Sequence, residues 1–186
     1  MSKMFAAVLA CLVVAHGAAQ ESRDKGEPQV SRIPKERIPP APPLAPAEAL
    51  KQFKLQPGFR IELVASEPMV ESPVALQFDP DGRLWVVEMR GYMPNLDGMG
   101  EDKPVGRISI LEDNDGDGRM DKKTVFLDGL VMPRALLLVR GGALVSIPPQ
   151  LWFYPNHDGQ PGERVLVAAD FARDADPKLG PRVNPD

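Results

Sequence analysis

"SPVALQFDPDGRLWVVE" (residues 72–88) and "MPRALLLVRGGALVSIP" (residues 132–148) align at a shift of 60 residues without a gap. Pro73 meets Pro133, Ala75 meets Ala135, Leu76 meets Leu136, Gly82 meets Gly142 and Leu84 meets Leu144. Within the first copy Val74, Leu76 and Phe78 alternate with other residues, the period of a strand with one packed face. "DPDG" (79–82) reads as a tight turn and "RLWVVEM" (83–89) as the returning strand, because Asp and Gly accept the backbone that hairpins demand.

The similarity continues outward. "RISILEDNDGDG" (107–118), with Ile108 and Ile110 in a third strand, has a counterpart in "QLWFYPNHDGQPG" (150–162). "TVFLDG" (124–129), with Val125 and Leu127 in a fourth, has one in "RVLVAAD" (164–170). The shift shortens there because the first copy carries a longer loop, "RGYMPNLDGMGEDKPVG" (90–106). Each copy thus reads as strand, tight turn, strand, loop, strand, acidic turn, strand. Four antiparallel strands are the unit of a β-propeller blade. The fold class expected is all-β, an incomplete β-propeller of about two blades; the competing fold is a β-sandwich. Propellers close with roughly 4 to 8 blades. Two alone would leave apolar faces and sheet edges uncovered. Residues 46–186 are therefore expected to be the N-terminal part of a longer propeller, or of a broken reading frame.

The remainder of the chain frames this domain. Lys3 precedes "FAAVLACLVVA" (5–15) and then small residues, which fits a secretory signal over residues 1–19. Eleven residues of helix span roughly 16 Å, too short for a hydrocarbon core of ~30 Å. Export to the periplasm or cell envelope follows, with no transmembrane segment in the mature chain. The single cysteine, Cys11, lies in the signal, so the mature chain uses no disulfides. Residues 20–45 are a proline-rich linker. "PAEALKQFKL" (46–55) is expected to form a short helix with Leu50 and Phe53 on one face. From Phe59 the period changes to two, and Phe59, Ile61, Leu63 and Ala65 are expected to form a strand. A formal net charge of -4 with no basic stripe gives no reason to expect nucleic acid.

Chemistry concentrates in "EDNDGDGRMD" (112–121). Numbered from Asp113, positions 1, 3 and 5 are Asp113, Asp115 and Asp117; position 6 is Gly118, position 7 is Arg119 (offering its carbonyl) and position 9 is Asp121. This is the oxygen ladder of a calcium loop, in which alternate side chains converge as the chain wraps the ion. Position 12 is Thr124 rather than the bidentate glutamate, and the flanks read as strands, so the loop is calcium-type but not an EF-hand. Affinity on the order of 10⁻⁴ to 10⁻³ M is expected. The alternative is an ordinary solvated acidic turn. The second copy, "NHDGQPGE" (156–163), has lost the ligand set, and its His157 reads as a surface residue.

Three further residues are candidates for binding a polar ligand. Glu88 and Arg90 stand where an apolar strand ends and the long loop begins, a place at the channel mouth in a propeller; the alternative is a structural ion pair at the strand end. Arg134 opens an otherwise apolar strand, where an arginine is costly unless paired or facing a polar channel. Trp85, Trp152 and Tyr154 read as packing residues.

"LQPGFRIELVASEPMVESPVALQFDPDGRLWVVEMRGYM" (55–93), "GRISILEDNDGDGRMDKKTVFLDGL" (106–130) and "MPRALLLVRGGALVSIPPQLWFY" (132–154) together resemble the membrane-bound dehydrogenase family of planctomycetes and verrucomicrobia, itself similar to the glucose/sorbosone dehydrogenase propellers. The resemblance covers residues 46–186. It implies an exported six-bladed propeller, followed in many members by helical repeats and a cytochrome c domain with a C-x-x-C-H site. It implies a quinone-type sugar or alcohol dehydrogenase using pyrroloquinoline quinone and calcium, with a histidine base. Glu88, Arg90, Arg134 and the Asp113–Asp121 loop fall in its motifs. This chain departs from the pattern in having no histidine in a recognisable catalytic motif and no C-x-x-C-H. The expected function is therefore a fragment of such a dehydrogenase, inactive alone. The alternative is a non-enzymatic envelope propeller that binds polysaccharide or protein partners.

Overall fold

The computed structural model describes residues 33–95 and 98–169. The expected signal segment and the first half of the linker lie outside the described residues. A 3-10 turn at Lys35–Arg37 and one short helix, α1 (Pro46–Leu50), precede nine strands: β1 (Pro73–Phe78), β2 (Leu84–Glu88), β3 (Gly106–Glu112), β4 (Lys122–Leu130), β5 (Ala135–Val139), β6 (Gly142–Ile147), β7 (Gln150–His157), β8 (Gln160–Pro161) and β9 (Val165–Ala168). They form two antiparallel sheets. Sheet I has the order β1-β2-β3-β4. Sheet II has the order β5-β6-β7, and β8 and β9 both pair with the far edge of β7. The repeat read from the sequence is thus present in the chain as two sheets of like topology.

Because successive side chains of a strand point to opposite faces, each sheet has a front and a back. The back of sheet I carries Trp85, Val87, Ile108 and Ile110, with Ala75 of β1. It packs against Ala143, Val145 and Tyr154 of sheet II, with Leu136, Leu138 and Trp152 beside them. These sheet II residues define the front of that sheet. Gln77 on the back of β1 accepts the Leu138 N–H at 2.8 Å, sealing the seam between the two innermost strands. The front of sheet I carries Leu84, Val86 and Leu111. Leu76 and Phe78 lie on the same face, since they pair directly with Val86 and Leu84.

The register corrects the alignment. Phe78 pairs with Leu84 across the first turn, while its counterpart Leu138 pairs with Ala143 across the second. The second turn is therefore one residue shorter, and the 60-residue shift becomes 59 beyond it. Gly82 corresponds to Gly141, not Gly142, and both have the left-handed backbone their turns need (φ 79° and 85°). Gly142 is required for a different reason: a Cβ there would lie 2.1 Å from the Tyr154 carbonyl oxygen. Ser72 and Met132, each preceding a proline, both have positive φ (47° and 49°), so the strand entry recurs down to the backbone.

Three other expectations are corrected. Residues 59–65 form no strand. This stretch leads into a segment that crosses the front of sheet I, where Val64, Ala65, Met69 and Val70 pack on Leu84, Val86 and Leu111. A chain lying across a face has no free strand edge to pair with, and Phe59 is 75% exposed. The helix ends at Leu50, and Phe53 is exposed; five residues with no buried position cannot hold a longer helix. Val74, Leu76 and Phe78 form no packed face, because the crossing segment covers β2 and β3 but leaves β1 bare. Among the described residues no helix is long and apolar enough to cross a membrane.

Candidate functional site

The end of β2 delivers two charged side chains to different surroundings. Glu88 is on the front of sheet I and is fully buried. Its Oε1 accepts the Glu71 N–H at 2.8 Å and the Lys123 ammonium at 3.2 Å. Its Oε2 accepts the Ser109 hydroxyl and lies 3.0 Å from Lys123 Nζ. Burial pushes the carboxyl pKa up, but the bonds from Ser109, the Glu71 N–H and Lys123 more than offset this and hold it below the ordinary value. In sheet II the positions of Glu88 and Ser109 are taken by Ile147 and Trp152, since Glu88 pairs with Arg107 as Ile147 does with Gln150, and Ser109 with Val86 as Trp152 does with Val145. The polar cluster is thus particular to the first sheet. It fastens the crossing segment down and takes up both carboxylate oxygens of Glu88, the arrangement of a structural ion pair.

Arg90, two residues on, turns outward. Its Nε donates to Glu71 Oε2 at 2.7 Å and its Nη1 reaches the Val105 carbonyl at 3.5 Å. Glu71 therefore joins two roles: its N–H anchors to Glu88 and its carboxylate orients Arg90. Around this pair lies an open cavity of about 400 Å³ lined by Glu67, Pro68, Glu71, Ser72, Arg90 and Val105. Arg90 was legible as a ligand-binding candidate. Glu67 and Glu71 were not, because they follow the expected 59–65 strand in a stretch with no periodic signal, and only the crossing path brings them to the β2 end. Arg134 is partly buried at the start of β5, with its Nε enclosed and its N–H donating to Ser146 O at 3.0 Å. It is not among the residues lining the cavity. His157 lies exposed at the end of β7, where β7 pairs with the β6 start; the cavity sits at the β2 end, the opposite end of the strand pattern.

At that opposite end, the loop between β3 and β4 brings carboxylate oxygens of Asp113, Asp115 and Asp117 within 4.8 Å of one another. Backbone N–H groups organise them. Gly118 and Gly116 donate to Asp113 at 2.9 and 2.7 Å, Asp117 to Asp115 at 3.2 Å, and Arg119 to Asp117 at 2.8 Å. The Gly118 N–H above all, against slight burial, holds the Asp113 carboxyl below its usual pKa. Asp121 is drawn elsewhere: its carboxylate accepts the Asn114 N–H at 3.0 Å and the Asn114 side-chain amide. The loop thus gathers three of the four aspartates expected to act together. Convergent hard oxygens suit calcium better than a soft metal.

Asp79, which sequence reasoning treated only as a turn residue, anchors the first hairpin. Its carboxylate accepts Trp85 Nε1 at 3.0 Å, Arg83 Nε at 2.7 Å, and the Arg83 and Asp81 N–H groups at 2.9 and 3.0 Å. Burial pushes its pKa up, and the bonds from Trp85 and Arg83 outweigh that and lower it.

No curated protein and no solved structure matches the chain. Residues 45–180 match the model of a family described as a domain of unknown function, DUF7133. That match takes in the crossing segment, both sheets and the cavity, and on it the chain belongs to the DUF7133 family.

Proposed function

We propose that this chain supplies two stacked units of an exported β-propeller whose cavity beside Arg90 binds a neutral, hydroxyl-rich ligand of polysaccharide type. The mode of stacking supports the propeller over the sandwich. Repeat-equivalent residues Leu76 and Leu136 both lie on fronts, yet the interface joins the back of sheet I to the front of sheet II. A two-fold sandwich of like sheets would bury like faces; a rotational series of blades buries unlike ones.

The observation that carries the ligand reading is the Glu71–Arg90 pair at the cavity wall. A carboxylate beside a guanidinium offers an acceptor and donors side by side, which suits the O–H and the oxygen of neighbouring sugar hydroxyls. The cavity volume is in the range of small-molecule sites. Pyrroloquinoline quinone does not fit here. It carries several carboxylates, whereas the cavity presents Glu67 and Glu71 and a guanidinium whose Nε is already given to Glu71. A sugar- or alcohol-oxidising role, with a cytochrome c domain as electron partner, is implied by the resemblance alone.

Calorimetric titration with neutral hexaoses (xylo-, cello- and malto-) is expected to give binding heat with at least one, and a loss of about tenfold or more in Arg90→Met and Glu71→Gln (about 1.4 kcal/mol or more). Heat from none, or unchanged binding in both variants, rejects the reading. Binding of pyrroloquinoline quinone that Arg90→Met abolishes would return the site to redox chemistry.

The acidic loop is proposed to hold calcium as a clip on the β3–β4 connection. Calcium is expected to raise the melting temperature of the chain with a midpoint on the order of 10⁻⁴ to 10⁻³ M. The double change Asp115→Asn, Asp117→Asn is expected to remove that rise and leave the calcium-free melt nearly as it was. Identical melts with and without calcium in the unmodified chain would discard the ion.

A further inference from the structure

The back of sheet II is an apolar surface already cut to a known counterpart. Leu137, Leu144, Phe153 and Val165 pair in turn across β5, β6, β7 and β9, forming one continuous row on that face. Leu137 is 52% and Val165 55% exposed, and Val139 and Val167 are exposed as well. The equivalent face of sheet I is not bare: it is covered by the front of sheet II, with β1 against β5 and Leu136 and Leu138 turned into the core. By the repeat, what fits the back of sheet II is a front face with an apolar innermost strand.

The chain itself bears such a surface. Val74, Leu76 and Phe78 on the front of β1 are the repeat counterparts of Arg134, Leu136 and Leu138, and stand 46%, 62% and 55% exposed. We propose that the back of sheet II docks on the exposed front of β1 in a second copy of this chain, so that copies associate head to tail. The contact continues the existing interface between the two sheets with β5 against β1, as within one chain. The outer part of the sheet I front is occupied by the crossing segment, so the copy-to-copy contact centres on the innermost strands. Such an interface is heterologous: an open series of copies keeps one unused face of each kind at its two ends, and association proceeds until the series closes.

Sedimentation velocity of the full chain tests this. Species heavier than the 20.3 kDa single chain are expected, growing with concentration. Leu137→Glu and Leu76→Glu each place a charge on an exposed residue of one face and are expected to sediment as single chains with unchanged circular dichroism. An equimolar mixture of the two variants is expected to give a complex of twice the single-chain mass and nothing larger, because each variant retains one competent face. A wild-type chain that stays single at every concentration overturns the proposal, whether a further repeat or another protein is the natural occupant. So does a mixture that fails to pair. Self-association lost in Leu137→Glu but kept in Leu76→Glu would show like faces meeting back to back, and overturns it equally.

Discussion

Replacing Glu88 with alanine is expected to lower the stability of the chain by about 3–5 kcal/mol, the cost of breaking a buried ion pair by removing one partner. The carboxylate is fully buried, and its loss leaves Lys123, only 18% exposed, without its counter-charge. It also removes the acceptor for the Ser109 hydroxyl and the Glu71 N–H. Urea unfolding followed by circular dichroism would show a lower midpoint at unchanged slope. Glu88→Gln keeps an acceptor but not the charge and should lose less. A midpoint for Glu88→Ala within about 1 kcal/mol of wild type would mean that the cluster is not formed. The same group sets a pH dependence. Its folded pKa lies below the unfolded one, so its contribution is fully present above the ordinary glutamate range. It is lost as pH falls through the folded value. Destabilisation in acid should therefore be blunted in Glu88→Gln relative to wild type.

Trp85→Ala is expected to cost a similar amount, about 3–5 kcal/mol. The ring is 1% exposed on the back of sheet I and meets Phe126 edge-on with centroids 4.8 Å apart. Truncation opens a cavity at the interface between the two sheets rather than at a sheet margin, and takes away a hydrogen bond to Asp79. Trp85→Phe, which keeps most of the volume and loses the N–H, should cost roughly 1–2 kcal/mol. Because the residue lies in the interface, the melt of both sheets should move together. Two separated transitions in Trp85→Ala would indicate sheets that fold independently, contrary to the shared core.

Much of this architecture was legible in period-two runs and turn residues. The strand order follows largely from hairpins and short loops, which leave antiparallel neighbours little choice, and in sheet I the long loop between β2 and β3 still joins adjacent strands. The one-residue slip at the second turn was not legible. "VRGGAL" offers two glycines for one left-handed position, and only pairing shows that Gly141 takes it while Gly142 makes room for the Tyr154 carbonyl. Residues 59–65 misled because the alternation there matches no packed face: Phe59 and Ile61 are exposed, and the contact with the sheet is made by Val64 and Ala65, adjacent residues of opposite parity. At the site, Arg90 was singled out for its place at a strand end. Its partner Glu71 lies 19 positions away on a segment whose path no local pattern encodes. Glu88 was singled out at the same strand end, where sequence leaves a buried ion pair and a channel carboxylate alike, since the two differ only in what lies on top of them.

The turn between β3 and β4 has an energetic consequence for any cation that visits it. Asp113 accepts the amides of Gly116 and Gly118, one on each oxygen, so the bend is held in place by its own backbone while each oxygen keeps a further lone pair. An incoming ion would find the chain already ordered and would lose little entropy of ordering on binding.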